Sequence, residues 1–165
     1  MRFFLTYKGF KLDKKDEAII KVLERKAGLS SRSLSKMVGL PISTTHRRVK
    51  KLEREGVIIG YKALVNYEKT NRPIGALLLI NLGEHIPGVG HIPQKDIIKA
   101  LRKFEEIEEI TEVQASDFDL AIKARLHTLK KLSAFMEGIR SIEGIEEASS
   151  AIIIEETVLP PPTFL

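Results

Sequence analysis

The chain has 165 residues, of which 43% are hydrophobic and 30% charged, and it contains no cysteine. This length can hold one medium domain or two small ones, and the hydrophobic content excludes a disordered chain. The lack of cysteine excludes disulfides, zinc–thiolate sites and thiol nucleophiles. No apolar run approaches the length of a signal segment or a membrane span, so we expect a cytoplasmic protein with no membrane partner.

Charge is distributed unevenly along the chain. Residues 1–72 carry 18 Lys and Arg against 7 Asp and Glu, a net charge of +11. Residues 73–165 carry 9 against 15, a net charge of −6. A basic block joined to an acidic one is typical of a polyanion-binding module attached to a domain with another role. Charge alone leaves a merely solvated basic surface equally open, so the interpretation depends on a motif.

The basic block predicts three helices, over residues 13–26, 31–38 and 42–55. Asp13 is suited to cap the first helix, and Gly39 supplies a left-handed turn after the second. A short helix, a tight turn that contains glycine and a further helix have the spacing of a helix-turn-helix.

The third of these helices has two different faces. Thr45, Val49 and Leu52 fall at i, i+4 and i+7 and should pack on the first two helices. The opposite face carries short hydroxyls near the start of the helix and basic side chains after them, as contacts with base edges and phosphates require. The predicted DNA contacts on this helix and just beyond it are Ser43, Thr44, His46, Arg47, Arg48, Lys50, Lys51 and Lys62. A solvated basic face is the alternative.

The run from Val57 to Val65 is rich in β-forming residues and directly follows the third helix. It predicts a strand pair that forms a wing, in which Lys62 could contact phosphates. Arg72-Pro73 then marks the predicted domain boundary. The expected first domain is therefore a winged helix-turn-helix.

The acidic half alternates strands with helices in the order βαββαβ, so the predicted fold class is α+β with a ferredoxin-like second domain. Two similar segments, Ile107–Ile110 and Ile142–Ile145, indicate an internal echo of the two βαβ halves. The helices would cover one face of the sheet, and a second copy of the chain is the expected cover for the other. The predicted strands lie around residues 76–82, 109–115, 120–126 and 148–155, and the predicted helices around residues 97–104 and 129–142.

Four segments together resemble the leucine-responsive regulator family, also called Lrp/AsnC or feast/famine. They are Leu12-Asp13, Gly39-Leu40, Arg47–Glu53 and Gly56-Val57-Ile58. The resemblance covers about residues 12–158, and few Asn and Gln beside many Ile, Glu and Lys favour an archaeal member. The expected organisation is an N-terminal extension (1–11), a winged helix-turn-helix (12–72), a ferredoxin-like effector-binding and oligomerisation domain (73–158) and a Pro-rich tail (159–165).

The resemblance implies a homodimer that pairs through the sheets and can close into an octamer, on double-stranded DNA. It also implies a small effector, usually an amino acid, bound near a Gly-x-(Tyr/Phe)-Asp turn. Ser116 replaces the glycine of that turn here and removes easy access to positive φ. A solvated hairpin turn is the alternative to an effector site. The effector residues implied by the resemblance are Ser116, Asp117, Phe118, Asp119, Ser149 and Ser150.

Two further features depart from the family pattern. Pro41 stands where a serine N-cap is usual, which leaves one capping bond unfilled unless Ser43 supplies it. The connection 83–94 is longer than usual and contains His-Ile-Pro twice. A surface loop is favoured there over a metal or effector site.

The leading hypothesis is a sequence-specific transcription regulator whose oligomeric state or DNA affinity is tuned by a small effector. An architectural DNA-binding protein without an effector is the alternative. A tetrapyrrole decarboxylase-like enzyme is a remote one, because in such relatives the loop matching 116–119 carries a histidine, which this chain lacks there. No phosphate loop, nucleophile–base pair or metal spacing is present in the sequence, so we predict no catalytic residue, no metal and no cofactor.

Overall fold

The computed structural model describes residues 11–83, 90, 92–115 and 117–157. These residues divide into two units, 11–64 and 65–157. The division falls before the boundary predicted at Arg72-Pro73, because the ring of Tyr67 packs on a guanidinium of the second unit. Residues 1–10, 158–165 and most of the His-Ile-Pro connection lie outside the described residues.

The first unit contains the three predicted helices. Their bounds are α1 (Lys14–Arg25), α2 (Ser31–Val38) and α3 (Ile42–Arg54). Gly39 ends α2 at φ 65°, in the left-handed region that favours glycine. The inward face predicted for the third helix is confirmed, since Thr45 and Leu52 are fully buried and Val49 packs on the core formed with α1 and α2.

The strand pair predicted after the third helix is not formed. Residues 57–66, all of which the structure describes, contain no strand. Val57 and Ile58 pack on the core of the first unit, but Ile59 is 96% exposed and Leu64 is 70% exposed. The prediction of strands failed because β-rich composition gives a strand only where a second strand accepts its backbone hydrogen bonds.

The second unit begins with a 3-10 turn, Tyr67–Lys69, and continues in the predicted order βαββαβ. Its strands form one antiparallel sheet in the order β2-β3-β1-β4, which confirms the ferredoxin-like topology. The bounds are β1 (Ile74–Leu82), α4 (Gln94–Leu101), β2 (Ile107–Glu112), β3 (Leu120–Leu126), α5 (Leu129–Arg140) and β4 (Ile145–Ile153).

The sheet has one covered face and one open face. Leu78 and Ile80 of β1 are fully buried in a core that includes side chains of α4 and α5. Their neighbours Leu77 and Leu79 point the other way and are 46% and 40% exposed. The open face is therefore partly apolar at its centre.

The internal echo is present, but three residues earlier in the first half than the sequence indicates. Ile107 is the first residue of β2, and its N–H donates to the carbonyl oxygen of Phe104 at 3.2 Å. The matching turn joins Ile142 to Ile145 through the same bond at 3.1 Å. Phe104 and Ile107, not Ile107 and Ile110, correspond to Ile142 and Ile145, because the same four-residue turn closes both helix–strand connections.

Candidate DNA interface and effector loop

One face of α3 is exposed and predominantly basic. Five of the predicted DNA-contacting side chains on this helix are exposed and a sixth, Thr44, is half-buried. The helix begins after Pro41, with hydroxyls in its first turn and cations in the next two. This order places small polar groups where a recognition helix approaches bases and long cations where it approaches phosphates. The five exposed residues are Ser43, His46, Arg47, Lys50 and Lys51.

Arg48 is placed differently from the other predicted contacts. Its Nη1 donates to Oδ1 of Asp16 at 2.6 Å and to Oδ2 of Asp13 at 2.8 Å. The side chain of Asp16 is only 3% exposed. The two hydrogen-bonded carboxylates raise the pKa of Arg48 above its ordinary value. Arg48 therefore joins α3 to the start of α1, and its guanidinium is occupied by carboxylates instead of facing the exposed surface of α3.

Lys50 has a partner within α3. Its Nζ donates to Oε2 of Glu53 at 2.8 Å, and the hydroxyl of Tyr61 donates to Oε1 of the same carboxylate at 2.9 Å. These two hydrogen bonds, from Lys50 first, hold the pKa of Glu53 below its ordinary value. Lys50 is 63% exposed at its side chain, so it can exchange this carboxylate for a phosphate. Lys62 is exposed in the segment after α3.

The start of α3 has no side-chain cap. Pro41 occupies the N-cap position, and among the described residues no side chain, including that of Ser43, caps the first turn. The replacement cap considered for Ser43 is thus not formed. Thr45 bonds in the opposite sense, donating its hydroxyl to the carbonyl oxygen of Pro41 at 3.1 Å. The hydroxyl of Ser43 stays exposed, as a DNA contact requires.

The loop that resembles an effector turn lies between β2 and β3. Ser116 lies outside the described residues. Asp117 is exposed, whereas Asp119 is tied to β1: its Oδ2 accepts the N–H of Leu82 at 2.8 Å, and its own N–H donates to the carbonyl oxygen of Ile80 at 2.8 Å. The ladder between β1 and β3 ends at the pair Ile80 and Leu120, so the N–H of Leu82 lies just beyond it and is satisfied by this carboxylate.

The two predicted serines on β4 do not converge on that loop. Ser149 pairs with Leu79 and Ser150 with Leu78, so they point to opposite faces of the sheet. β1 lies between their strand and β3. Within the single chain, the structure therefore gathers residues 117–119 in one loop but does not bring both serines to it.

A cavity of about 320 Å³ lies elsewhere in the second unit, between α4 and the edge strand β2. Ile98 and Arg102 line it from the helix, and Glu109 and Glu112 from the strand. None of the residues that line it was predicted to bind an effector.

The open face of the sheet carries a buried ion cluster that was not predicted from the sequence. Arg125 is 3% exposed, stacks on the ring of Tyr67 at 4.1 Å and donates to Glu108 at 3.4 Å and to Glu156. Glu156 also accepts from Lys123, and its pKa is lowered first by Lys123 and then by Arg125. Strand alternation placed Arg125 opposite the core, where an arginine is normally solvated, so no local signal indicated its burial.

Two family models match the chain. Residues 12–59 match a winged helix-turn-helix DNA-binding domain, and residues 81–162 match the Lrp/AsnC ligand-binding domain. No helix in the described ranges is both long and apolar enough to span a membrane. The fold and the two matches define a helix-turn-helix transcription regulator that carries a ligand-binding domain.

Individual relatives agree with this class. The chain is 34% identical over 155 residues to the HTH-type transcriptional regulator FL11 of Pyrococcus abyssi, covering 90% of this chain and 96% of FL11. It is 32% identical over 146 residues to the leucine-responsive regulatory protein of Haemophilus influenzae, covering 88% and 85% of the two chains. The chain thus belongs to the Lrp/AsnC family of transcriptional regulators.

Solved structures share the fold over almost the whole chain. A transcriptional regulator of Neisseria meningitidis in complex with L-methionine matches with a TM-score of 0.74 at 25% identity, over 91% of this chain and 94% of the other. The leucine response regulatory protein of Mycobacterium tuberculosis matches with a TM-score of 0.74 at 24% identity, over 93% and 99%. At this identity the second match supports the fold alone.

Proposed function

We propose that the chain is a sequence-specific DNA-binding regulator that reads double-stranded DNA through α3. The observation that carries the proposal is the two-sided burial of α3. Thr45 and Leu52 are fully buried on one face, and the side chains of the other face are exposed, namely Ser43, His46, Arg47, Lys50 and Lys51. Because the helix is fixed through its opposite face, its polar face can enter a major groove as a rigid unit.

We infer that the second unit binds a small effector, an amino acid, at the loop that contains Asp117 and Phe118. The methionine complex of the Neisseria regulator supports this class of ligand, as does the ligand-binding description of the matched domain. The exposed carboxylate of Asp117 can accept the ammonium group of an amino acid. Asp119 supports the loop through the N–H of Leu82 rather than reaching the ligand.

We further propose a cytoplasmic homodimer that pairs through the open faces of two sheets and can assemble into an octamer. Leu77 and Leu79 form an exposed apolar centre on this face, which a second copy would remove from water. The similarity to Pyrococcus proteins supports the archaeal source that the composition indicates. All these relatives bear the names of regulators, and we propose a regulatory rather than a catalytic role.

Selection of bound fragments from random DNA tests the first proposal. The full chain should enrich a defined sequence. Its affinity for that DNA should fall steeply as salt is added, because binding of Lys and Arg to phosphates releases counterions, and added salt opposes that release. Arg47→Ala should weaken binding about 10-fold or more. Lys130→Ala, which removes the same charge from an exposed site on α5, is the matched control and should change affinity little. Equal effects of the two variants would exclude α3 as the recognition helix.

Calorimetry against the twenty amino acids tests the effector. We expect one or a few amino acids to release heat with the wild type, and Asp117→Asn to lose this heat. Glu112→Gln, which changes an exposed carboxylate at the end of the neighbouring strand, is the control and should retain it. DNA binding with no heat from any amino acid would instead favour an architectural protein that needs no effector.

A further inference from the structure

Ile42 is an exposed apolar side chain on an otherwise polar recognition surface. It is the first residue of α3 and is 47% exposed. Thr45 and Leu52, which follow on the inward face, are fully buried. Ile42 lies at the border of that face, with the exposed side chains of Ser43 and His46 beside it.

The position of Ile42 decides what it can contact. Side chains in the first turn of a recognition helix are those that reach base edges in the major groove. The only apolar group that a base pair presents there is the 5-methyl group of thymine, and apolar side chains contact it. An isoleucine that keeps about half of its surface in water has apolar atoms left to cover such a methyl group.

The local backbone favours this placement. Pro41 precedes Ile42 at φ −56° and ψ 144°, so the chain enters the helix in an extended conformation. Thr45 donates its hydroxyl to the carbonyl oxygen of Pro41 at 3.1 Å, which fixes the first turn against the buried side of α3. The helix start is therefore held in place without using the side chain of Ile42.

We propose that Ile42 is a specificity-determining residue that reads the 5-methyl group of one thymine in each half of the DNA site. The inference rests on the proposed function of α3 as recognition helix. It adds an apolar readout to contacts that are otherwise hydrogen bonds and ion pairs.

Deoxyuridine substitution tests this contact, because deoxyuridine lacks only the methyl group of thymidine. In the DNA sequence selected by the full chain, each thymidine is replaced in turn, and affinity is measured for the wild type, Ile42→Ala, Ile42→Val and Met37→Ala. Met37 is the matched control, since it is 53% exposed on α2, outside the recognition helix. Thermal unfolding of each variant checks that it is folded.

We expect one replacement per half-site to weaken wild-type binding about 3- to 5-fold, the effect of one methyl-sized apolar contact. Ile42→Val and Met37→Ala should lose the same affinity when that thymidine is replaced. Ile42→Ala should bind the two DNA forms equally well. Binding that no replacement weakens, or a methyl effect that persists in Ile42→Ala, would overturn the inference and leave the DNA-binding proposal standing. Failure to select any sequence would overturn the proposed function itself.

Discussion

The guanidinium of Arg48 on α3 lies 2.6 Å from the buried carboxylate of Asp16 on α1. The same guanidinium reaches Asp13 at 2.8 Å. Asp13 and Asp16 also form a capping box, in which each side chain accepts the backbone N–H of the other. One arginine of α3 is thus held by the N-cap residue and the third residue of α1, and these contacts join the two helices.

Asp16→Ala should destabilise the first unit by about 2 kcal/mol, because it removes half of a capping box and leaves the partly buried Arg48 with one carboxylate. This loss of stability is smaller than that expected on breaking a fully buried ion pair, because the side chain of Arg48 is 21% exposed. Hydrogen exchange of the α1 amides measures the loss. Glu17→Ala, an exposed acidic residue in the same turn, is the control and should cost a few tenths of a kcal/mol. Similar protection in both variants would contradict a structural role for Asp16.

The stability of the first unit should fall in acid through Asp13. The backbone N–H of Asp16 lowers the pKa of Asp13 below its ordinary value of 3.8, and Arg48 lowers it further. The stabilisation from the ionised carboxylate is then fully present above the unfolded pKa and is lost as the pH falls through the folded pKa. Asp13→Asn keeps a capping oxygen but cannot ionise. The protection of its α1 amides from hydrogen exchange should therefore depend less on pH below about 4 than that of the wild type. Asp96→Asn, in the first turn of α4, should leave that pH dependence unchanged.

Gly75→Ala should disrupt the ion cluster on the open face. A Cβ atom at this position would lie 2.6 Å from Nη1 of Arg125 and 3.0 Å from Cδ1 of Ile153. The guanidinium would have to move away from Glu108 and Glu156, at a cost of about 1–3 kcal/mol to the second unit. Urea unfolding measures the effect. Gly83→Ala is the matched control, because its Cβ would meet nothing nearer than 3.9 Å. If both variants unfold at the same urea concentration, the position of Arg125 does not depend on Gly75 having no side chain.

Asp119 should tolerate loss of its charge but not of its oxygen. Its Oδ2 accepts the N–H of Leu82, and an asparagine can accept the same bond. Asp119→Asn should therefore leave unfolding nearly unchanged, whereas Asp119→Ala should cost about 1–2 kcal/mol through an unsatisfied amide. The urea midpoints of the two variants, compared with that of the wild type, test this difference. An equal loss in both would mean that the negative charge, not the hydrogen bond, supports the loop.

Much of the fold could be predicted because local patterns determine it. Caps and glycines bounded α1 and α2 to within a residue or two, and the alternation of Leu120–Leu126 gave β3 and its two faces. The order βαββαβ followed from such patterns, whereas the family was indicated by the resemblance of four short segments in the first unit. The candidate site was harder to predict. Arg48 falls three residues after the buried Thr45, at the border of the inward face, but the sequence does not indicate that a carboxylate of α1 accepts from it.

What the sequence alone determined is the five helices, the four strands of the second unit, the inward faces of α3 and β3 and the unequal charge of the two halves. The tertiary structure decided which polar groups are paired: Arg48 and Arg125 form ion pairs, and Asp119 accepts an N–H of β1. It also decided that residues 57–66 form no strand. The reason is physical. Helix and strand periods repeat within a few residues, whereas an ion pair or a strand pairing joins positions far apart, whose distance only the folded chain sets.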